Sequence, residues 1–430
     1  MQSAYPRPRV VYRNALRVVP DHVTALQKPC QMAFSVSGID TLHIHVPDVA
    51  AYIPEGSTLE QSAAARRRSI YTPETALTML PPHVEAMLCF PHNAQQHTVT
   101  YTCRITEEGN LMDCSVKLSF VESVKVMSYS QMEKSRNVRA WEVGRRLAAL
   151  SVIRRASHGG NVIPFHDLSS IVVQTQQVHW LTHDMIFADP DLVTHSFADC
   201  PVRVAMDRDY FSAAHFIVRE LEIIAGEINQ SVLLDAHAWD RPRQCDSDFS
   251  LFAASESSDV IVALLKGKTN ANHDDVFTSI CSALRSPEEH VPLLRVLYRQ
   301  KDLGTKILPC TSPLSSYSEL MQQYKLHKAD LTVAVSRYSV VDECEKRILG
   351  RRAGFIQRWI DQQPAQPTNA TKRMRCVVLQ RSYDHAVLLA PLLGHIFEVH
   401  GPFLSADTVM IPLQWMVGKA ILQDPEPSAA

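Results

Sequence analysis

Apolar and polar residues alternate in several stretches of the first third of the chain, and a period of two predicts β-strands. FSVSG and LHIHV, within residues 34–46, alternate on either side of a glycine turn. Gln96–Ile105 and residues 111–124 alternate again, with Glu-Glu-Gly-Asn between them, which predicts a hairpin. This part of the chain is therefore predicted to form antiparallel sheet.

A spacing of three to four residues between apolar positions predicts helices further along the chain. The clearest pattern covers residues 211–234, where Phe216, Ile217, Leu221, Ile224 and Ile228 recur at helical spacing. Further helical patterns lie at residues 62–69, 130–155, 259–265, 275–284 and 342–359. Strands in one region and helices in another favour an α+β fold.

Short alternating strands return between residues 373 and 413, after a polar linker with prolines at residues 362–372. Four to five strands of this kind predict a small OB-like barrel. The predicted divisions are an N-terminal arm at residues 1–30, a main domain at 31–361, the linker at 362–372, and the barrel and tail at 373–430.

Composition indicates an ordinary globular protein: 46% of the 430 residues are hydrophobic and 20% are charged. No apolar run is long enough to span a bilayer, so no membrane association is expected. The net charge of −2 does not by itself indicate a polyanion partner, although a neutral total can include a basic patch. The ten cysteines form no C-x-x-C pair, which argues against zinc ribbons and thiol redox motifs.

The first twenty residues are basic. They contain Arg7, Arg9, Arg13 and Arg17, with no acid before Asp21. This composition is typical of a mitochondrial transit peptide, so a mitochondrial location is expected. The alternative is a retained basic arm that lies on RNA or on a partner protein.

Residues 43–73 read HIHVPDVAAYIPEGSTLEQSAAARRRSIYTP, and TMLP follows soon after. This stretch resembles the catalytic (RNB) domain of the RNase II and RNase R exoribonucleases, which reads H-I-A-D-V-S-x-Y-V-P-E-G-S-x-L-D there. A second stretch, PCTSPLSSYSELMQQYKLHKA at residues 309–329, resembles the family's F-T-S-P-I-R-R-Y-x-D-L-x-x-H-x-Q-L-K-A. The resemblance covers about residues 30–410. It implies an RNB-type domain with a mixed β-sheet and barrel core packed with helices, followed by a small C-terminal OB-like barrel.

The acidic cluster D-x-D-D-A of that family is missing from this chain. The aligned residues are Pro29, Cys30, Gln31, Met32 and Ala33. The family's hydrolysis needs Mg²⁺, which clustered carboxylates hold and which activates the attacking water. The Gln31 amide is at most a weak neutral ligand, so no metal site and no cofactor are expected.

A second component of the same chemistry is missing as well. Serines at positions 315 and 316 replace the two arginines of the family's T-S-P-I-R-R-Y, and a serine cannot clamp a phosphate as a guanidinium does. Losing such a donor costs about 3–4 kcal/mol of transition-state stabilisation. The two losses predict a catalytically inactive scaffold in an RNA-containing complex, such as a mitochondrial ribosome, a ribosome-assembly intermediate or an RNA-processing particle. The expected partners are RNA and proteins, with no small-molecule substrate.

Several residues are candidates for RNA contact. Tyr71 matches a family tyrosine that stacks on a terminal base, although an aromatic residue there could equally belong to the core. The remaining candidates are Arg66, Arg67, Arg68, Tyr317, Arg373 and Arg375. The three consecutive arginines could instead form a solvated helix face.

Two other hypotheses remain open. The first is an active Mg²⁺-dependent 3′-to-5′ exoribonuclease with displaced carboxylates, drawn from Asp21, Asp40, Asp48 and Glu220, that converge near Tyr71. The second is a regulatory subunit that binds proteins of a nuclease complex and makes no RNA contact. Asp48 could also be a turn acceptor, and His43 and His45 lie on one strand face, where packing is favoured over a metal pair.

Overall fold

The computed structural model describes most of the barrel, the helices that cover it and the C-terminal sheet. The described residues are 8–21, 31–38, 40–71, 76–93, 95–107, 109–135, 139–157, 170–174, 203–207, 212–233, 273–297, 308–328, 373–382, 385–393, 395–400 and 406–412. The strands in these ranges are β1 Val10–Val19, β2 Ala33–Ser37, β3 Thr41–Pro47, β4 Ile70–Tyr71, β5 Ala76–Leu77, β6 Gln96–Ile105, β7 Leu111–Ser128, β8 Ser170–Gln174, β9 Arg203–Asp207, β10 Arg373–Arg381, β11 His385–Ala390, β12 His395–His400 and β13 Thr408–Pro412. The helices are α1 Thr58–Arg66, α2 Pro82–Leu88, α3 Tyr129–Lys134, α4 Arg139–Ser157, α5 Ala213–Leu233, α6 His273–Arg285, α7 Val291–Leu297 and α8 Tyr317–Lys328.

Five strands close into a barrel in the order β1-β2-β3-β6-β7. β2, β3, β6 and β7 pair antiparallel in succession, which confirms the strands predicted at residues 34–46 and the hairpin after residue 96. β1 closes the barrel by pairing parallel to β7, from Val10↔Ser119 to Val19↔Ser128. The fold is therefore built on a barrel whose first strand pairs with its last.

The prediction of an N-terminal arm over residues 1–30 is wrong for Val10–Val19, which is a barrel strand. Only its second half is buried, where Leu16 and Val18 enter the core. The periodicity is weak because the outer half of the strand is exposed. Its order comes from pairing with β7, a long-range contact that local pattern does not encode.

The two faces of the barrel wall differ in polarity. Leu42, Ile44 and Val46 of β3 pack in one core cluster with the apolar faces of α4 and α5. His43 and His45 alternate with them, and because the helices lie outside the barrel, the two histidines face its interior. The helices approach each other closely: a Cβ on Gly144 of α4 would lie 2.9 Å from Cγ2 of Ile217.

The helical predictions are confirmed where the structure describes them. α5 matches the pattern at residues 211–234, and α6 matches the one at residues 275–284. The pattern at residues 130–155 corresponds to two helices, α3 and α4, instead of one. The predicted helix at residues 62–69 begins earlier, because Ser57 caps α1 by accepting a hydrogen bond from the Glu60 amide at 3.3 Å.

The helices predicted at residues 259–265 and 342–359 and the linker at 362–372 lie outside the described residues. None of the helices within the described ranges is long and apolar enough to cross a membrane.

Four described strands lie from residue 373 onward, where four to five were predicted. They form an antiparallel sheet in the order β12-β11-β10-β13, which is consistent with an OB-like region, and no closed barrel is seen among its described strands. Arg295 of α7 joins this sheet to the helices, because its Nε donates to the Val378 carbonyl at 2.8 Å and its Nη2 to the Asp407 carboxylate at 2.7 Å.

Candidate functional site

Gln31, which stands where the family resemblance implies an acid, contacts Ser315, which stands where it implies an arginine. The two side chains meet in one buried junction. Nε2 of Gln31 donates to Oγ of Ser315 at 3.0 Å, and Oε1 of Gln31 accepts from the Leu314 amide at 3.0 Å. We call these three residues the Gln31 junction. Both ends of the amide are occupied by the protein itself, and none of the three side chains carries a charge. The neighbouring Met32 is 1% exposed and belongs to the apolar core.

The loop that carries Ser315 is held by α8, which follows it. Glu319 of α8 is buried, and its Oε2 accepts from the Ser312 amide at 2.6 Å. The Ser315 amide in turn donates to the Ser312 carbonyl at 3.0 Å. The loop is therefore held by one hydrogen bond within it and one to α8, and its residue Ser315 is buried.

The arginine run lies directly beside this loop. Ser69 N donates to the Ser315 carbonyl at 2.9 Å, and Tyr317 N donates to the Arg67 carbonyl at 2.8 Å. Between these two bonds, Arg68 and Ser316 form an antiparallel bridge. The structure thus brings together predicted site residues that are about 250 positions apart in sequence.

The three arginines and Tyr317 differ in how they are held. Nη1 of Arg66 donates to the Thr78 carbonyl at 3.0 Å, whereas Arg67 is exposed and Arg68 is half-buried. Arg67 ends α1 with a φ of 65°, in the left-handed region. The Tyr317 hydroxyl donates to the buried Glu60 carboxylate.

The remaining candidates lie elsewhere or are only partly described. Tyr71 pairs with Ala76 in the short β4–β5 hairpin, and its side chain lies outside the described residues. Pro29 also lies outside them. Arg373 and Arg375 are exposed on β10 of the C-terminal sheet, where Arg375 makes a 3.4 Å contact with Glu288.

Asp48 forms a second junction between the barrel and α8. It is fully buried and accepts from Nη2 of Arg9 at 2.7 Å and from Nε2 of His327 at 2.8 Å. Burial alone would raise the pKa of the Asp48 carboxyl, but the hydrogen bonds and charges of His327 and Arg9 hold it below its usual value. We call these three residues the Asp48 junction.

Asp48 was predicted to be either a metal ligand or a hydrogen-bond acceptor in a turn, and the structure agrees with the turn acceptor. Its Oδ1 accepts from the Ala51 amide at 3.2 Å and so caps a short 3-10 helix at Val49–Ala51. Its partners Arg9 and His327 were missed from sequence, since they lie 39 and 279 positions away and belong to no local motif.

The displaced-carboxylate site is not assembled, so that part of the alternative hypothesis is wrong. Asp40 and Asp48 flank the seven-residue β3 on opposite ends, about 26 Å apart at ~3.3 Å per residue. Asp21 accepts from the Ser130 amide at 3.0 Å at the start of α3, and Glu220 is buried within α5. In the described part of the chain, no group of three or more His, Cys, Asp or Glu side chains could hold a metal ion. The residues of the Gln31 junction therefore do not fit Mg²⁺.

His43 and His45 form a hydrogen-bonded ladder inside the barrel. His45 lies between Ser35 and Thr100, 2.8 Å from each hydroxyl, and His43 lies between Ser37 and Thr102 at 2.8 and 2.9 Å. Burial, helped by the nearby His43, lowers the pKa of His45 to about 3. With both ring nitrogens of each histidine engaged, the packing interpretation fits better than a metal pair.

Comparison with known proteins identifies the domain. A family model described as "RNB domain" matches residues 25–239, which is half of the chain. Ribonuclease R 2 of Lactococcus lactis is 29% identical over 94 residues, which are 22% of this chain and 14% of that protein. Ribonuclease R of Chlamydia muridarum is 30% identical over 104 residues, 24% of this chain and 15% of that protein. The matched stretch thus spans about one seventh of each relative's length.

Solved structures share the fold over nearly the whole chain. Mycoplasma genitalium RNase R in complex with ribose-methylated single-stranded RNA matches with a TM-score of 0.55 and 15% identity, covering 95% of this chain and 67% of that one. An active-site mutant of the Dss1 exoribonuclease from Candida glabrata matches with a TM-score of 0.55 and 13% identity, covering 96% and 57%. Yeast Ssd1, described as a pseudonuclease, matches with a TM-score of 0.50 and 14% identity, covering 95% and 54%. These matches confirm the predicted fold class.

Proposed function

The chain belongs to the RNB-domain family, and from this premise we propose that it is an RNA-binding scaffold that does not cleave RNA. One observation carries the proposal. At the positions where the family resemblance implies acids and an arginine, Gln31 and Ser315 are hydrogen-bonded to each other and buried.

The chemistry of this junction supports the absence of hydrolysis. A Mg²⁺ ion is held by several oxygens, mainly from carboxylates, in near-octahedral geometry. The Gln31 junction offers one neutral amide, and its oxygen already accepts from the Leu314 amide. No guanidinium at position 315 or 316 is available to stabilise charge that develops on a phosphate.

The surface beside the junction supports RNA binding. Arg67 and Arg68 lie next to the loop of residues 312–317. A basic patch is the electrostatic requirement for binding a polyanion, even when the net charge of the protein is near zero. Mycoplasma genitalium RNase R has been solved with single-stranded and with double-stranded RNA, and we extend RNA binding to this chain as part of the proposal.

The proposal also covers the cellular setting. A mitochondrial ribonucleoprotein is supported by the arginine-rich start of the chain alone. Two of those arginines have structural roles: Arg9 binds Asp48, and Nη1 of Arg17 donates to the Cys89 carbonyl at 2.7 Å. Subcellular fractionation and identification of co-purifying RNA and proteins test the setting. Co-purification of a nuclease without RNA would favour the regulatory-subunit hypothesis.

Incubation of the purified protein with 3′-tailed single-stranded RNA and Mg²⁺ or Mn²⁺ tests the main proposal. We expect the RNA to be bound, as measured by a gel shift in the same samples, and to keep its full length. Progressive shortening from the 3′ end that EDTA abolishes would show that the protein is a nuclease and overturn the proposal.

A further inference from the structure

We propose that Cys103 and Cys114 form a reversible disulfide between β6 and β7 when the protein meets a small disulfide oxidant such as oxidised glutathione. This oxidation site goes beyond the proposed function and does not rest on RNA binding. Both cysteines are reduced thiols in this structure. No C-x-x-C motif marks them in the sequence, because the pairing of the two strands brings them together.

The register of the β6–β7 hairpin places the two cysteines opposite each other. It shifts by one residue at a β-bulge, so that two residues of β7, Asp113 and Cys114, oppose Cys103 of β6. Asp113 has a φ of 53°, in the left-handed region, where the strand departs from regular geometry. The ladder pairs on either side of the bulge are Thr102↔Ser115 and Arg104↔Met112. Cys103 and Cys114 are therefore cross-strand neighbours.

Both side chains lie on the face of the hairpin that packs on the helices. Cys103 is buried in the core cluster that includes residues of α4 and α5, and Cys114 is half-buried against the same cluster. The adjacent residue of β6 lies on the other face, since the Thr102 hydroxyl lies 2.9 Å from Nδ1 of His43 inside the barrel. This agrees with the alternation of side chains along a strand. The two thiols thus share one face of the hairpin.

The spacing of opposed residues in a sheet is close to what a disulfide needs. Directly opposed Cβ atoms in antiparallel strands lie about 4.5–5.5 Å apart, and the Cβ atoms of a disulfide lie about 3.5–4.5 Å apart. The two strands must approach by about 1 Å, and the ladder is already interrupted at the bulge. The bond closes the short loop of residues 103–114, which contains the turn of the hairpin.

Cys114 gives the oxidant a point of entry. Of the six cysteines in the described ranges, Cys114 alone is not buried, and exposure favours reaction of a thiol with a dissolved oxidant. No other two of these six cysteines lie on strands that pair with each other. The remaining four are Cys89 after α2, Cys281 in α6, Cys310 before α8 and Cys376 in β10.

Thiol–disulfide exchange supplies the chemistry. Cys114 loses its proton, and its thiolate attacks one sulfur of oxidised glutathione, which forms a mixed disulfide and releases one glutathione thiolate. The Cys103 thiolate then attacks the Cys114 sulfur, which forms the Cys103–Cys114 bond and releases the second glutathione thiolate. The two glutathiones take up the two protons. The protein loses two electrons and two protons, and the glutathione disulfide is reduced.

Peptide mapping of the full-length protein in glutathione buffers tests the pair. The reduced protein is equilibrated with oxidised glutathione, remaining thiols are blocked with iodoacetamide, and trypsin cleaves the protein without reduction. Cleavage after Arg104 puts the two cysteines in peptides 69–104 and 105–117, so the proposed disulfide joins these peptides. Fragment spectra must place the bond at Cys103, since Cys89 lies in the first peptide. We expect the joined peptides to appear and dithiothreitol to release them.

A shift of the thiol by one residue is the matched control. Cys114→Ser/Ser115→Cys keeps the number of cysteines but moves the thiol of β7 to the opposite face of the hairpin, so no joined peptide is expected. Cys114→Ser alone should also form none. Oxidation should raise the thermal midpoint of the wild type by a few degrees, because the bond constrains the unfolded chain, and should leave that of Cys114→Ser unchanged.

The possible outcomes decide the proposal. A joined peptide in the wild type that is absent from both variants supports it. Wild type that stays reduced in oxidised glutathione alone, or that stops at a glutathione adduct of Cys114, overturns it, because the two thiols are then out of reach of each other. An equal yield from the folded shifted variant also overturns it. Circular dichroism establishes that each variant is folded, and Cys114→Ser carries the comparison if the shifted variant does not fold.

Discussion

Two junctions join the segment of residues 308–328 to the barrel, and they are built in opposite ways. The Gln31 junction is neutral and consists of an amide, a hydroxyl and a backbone N–H. The Asp48 junction contains a buried carboxylate with an arginine and a histidine. The Asp48 junction thus uses charged side chains to connect the start of β1, the end of β3 and α8. The Gln31 junction, where the family resemblance implies catalysis, contains no charged side chain. The fold is therefore kept although the residues that the family resemblance implies at the Gln31 junction are replaced.

Removal of Arg9 is expected to have the largest effect on stability. Arg9→Met leaves the Asp48 carboxylate buried with His327 as its remaining side-chain partner, and breaking one side of a buried pair costs about 3–5 kcal/mol. Urea unfolding monitored by circular dichroism measures the free energy of unfolding. Arg13→Met, at an exposed position of β1, is the control and should cost less than about 0.5 kcal/mol. Equal losses in both variants would show that the Asp48 junction is not special.

Acid should weaken the barrel through His45. Its pKa is 6.5 when unfolded and about 3 when folded, so the unfolded state binds the extra proton and stability falls as pH drops from about 6.5 to 3. The loss amounts to ~1.4 kcal/mol per pKa unit, or several kcal/mol. Asp48 acts at lower pH, because its stabilisation is present above 3.8 and is lost as pH falls through its lowered folded pKa.

Urea midpoints measured across this pH range test the histidine. His45→Gln should flatten the decline between pH 6.5 and 4, whereas His400→Gln, an exposed histidine on β12, should leave it unchanged. An unaltered decline in His45→Gln would assign the acid sensitivity to other groups.

Substitution at the neutral junction should cost less. Gln31→Met keeps a similar volume but leaves the Leu314 amide and the Ser315 hydroxyl without this partner, and an unsatisfied buried polar group costs about 1–3 kcal/mol. Thermal unfolding measures the cost, with Ser318→Ala at an exposed position in the first turn of α8 as control. A loss as large as that of Arg9→Met would contradict the contrast between the two junctions.

An exposed ion pair should have the smallest effect. Arg295 and Asp407 lie 2.7 Å apart with side chains 30% and 57% exposed, so solvent screens the pair. Asp407→Asn should cost less than about 1 kcal/mol, and a double-mutant cycle with Arg295→Gln isolates the interaction. A coupling energy of about 3 kcal/mol or more, as expected for the Asp48 junction, would contradict the weak effect expected from the exposure of Arg295 and Asp407.

Local pattern in the sequence was sufficient for much of the fold. Alternation located β3 and β6, and helical spacing located α5, because each buries one face against the core. β1 was missed, since its order comes from β7 and its first half is exposed. Local pattern fails where a strand depends on a distant partner.

The candidate site could be predicted only in part. The motifs identified Gln31 and Ser315 as changed positions, and the structure shows that they contact each other. Neither motif indicated that Arg68 is paired with Ser316, because a bridge between residues 248 positions apart leaves no trace in a single sequence. The roles of Arg9 and His327 in holding Asp48 were hidden for the same reason.

The parallel pairing of β1 with β7 has a consequence for synthesis. Val10 pairs with Ser119 and Val19 with Ser128, so β1 must wait for about 110 further residues to be made before its main partner exists. At ~5–20 residues per second, translation leaves that edge open for about 5–20 s. Val10 and Val11, which stay 42% and 57% exposed even in the folded protein, are then part of an unpaired β-edge. We expect the nascent chain to be open to misassembly in that interval, before the ribosome has delivered the strand that closes the barrel.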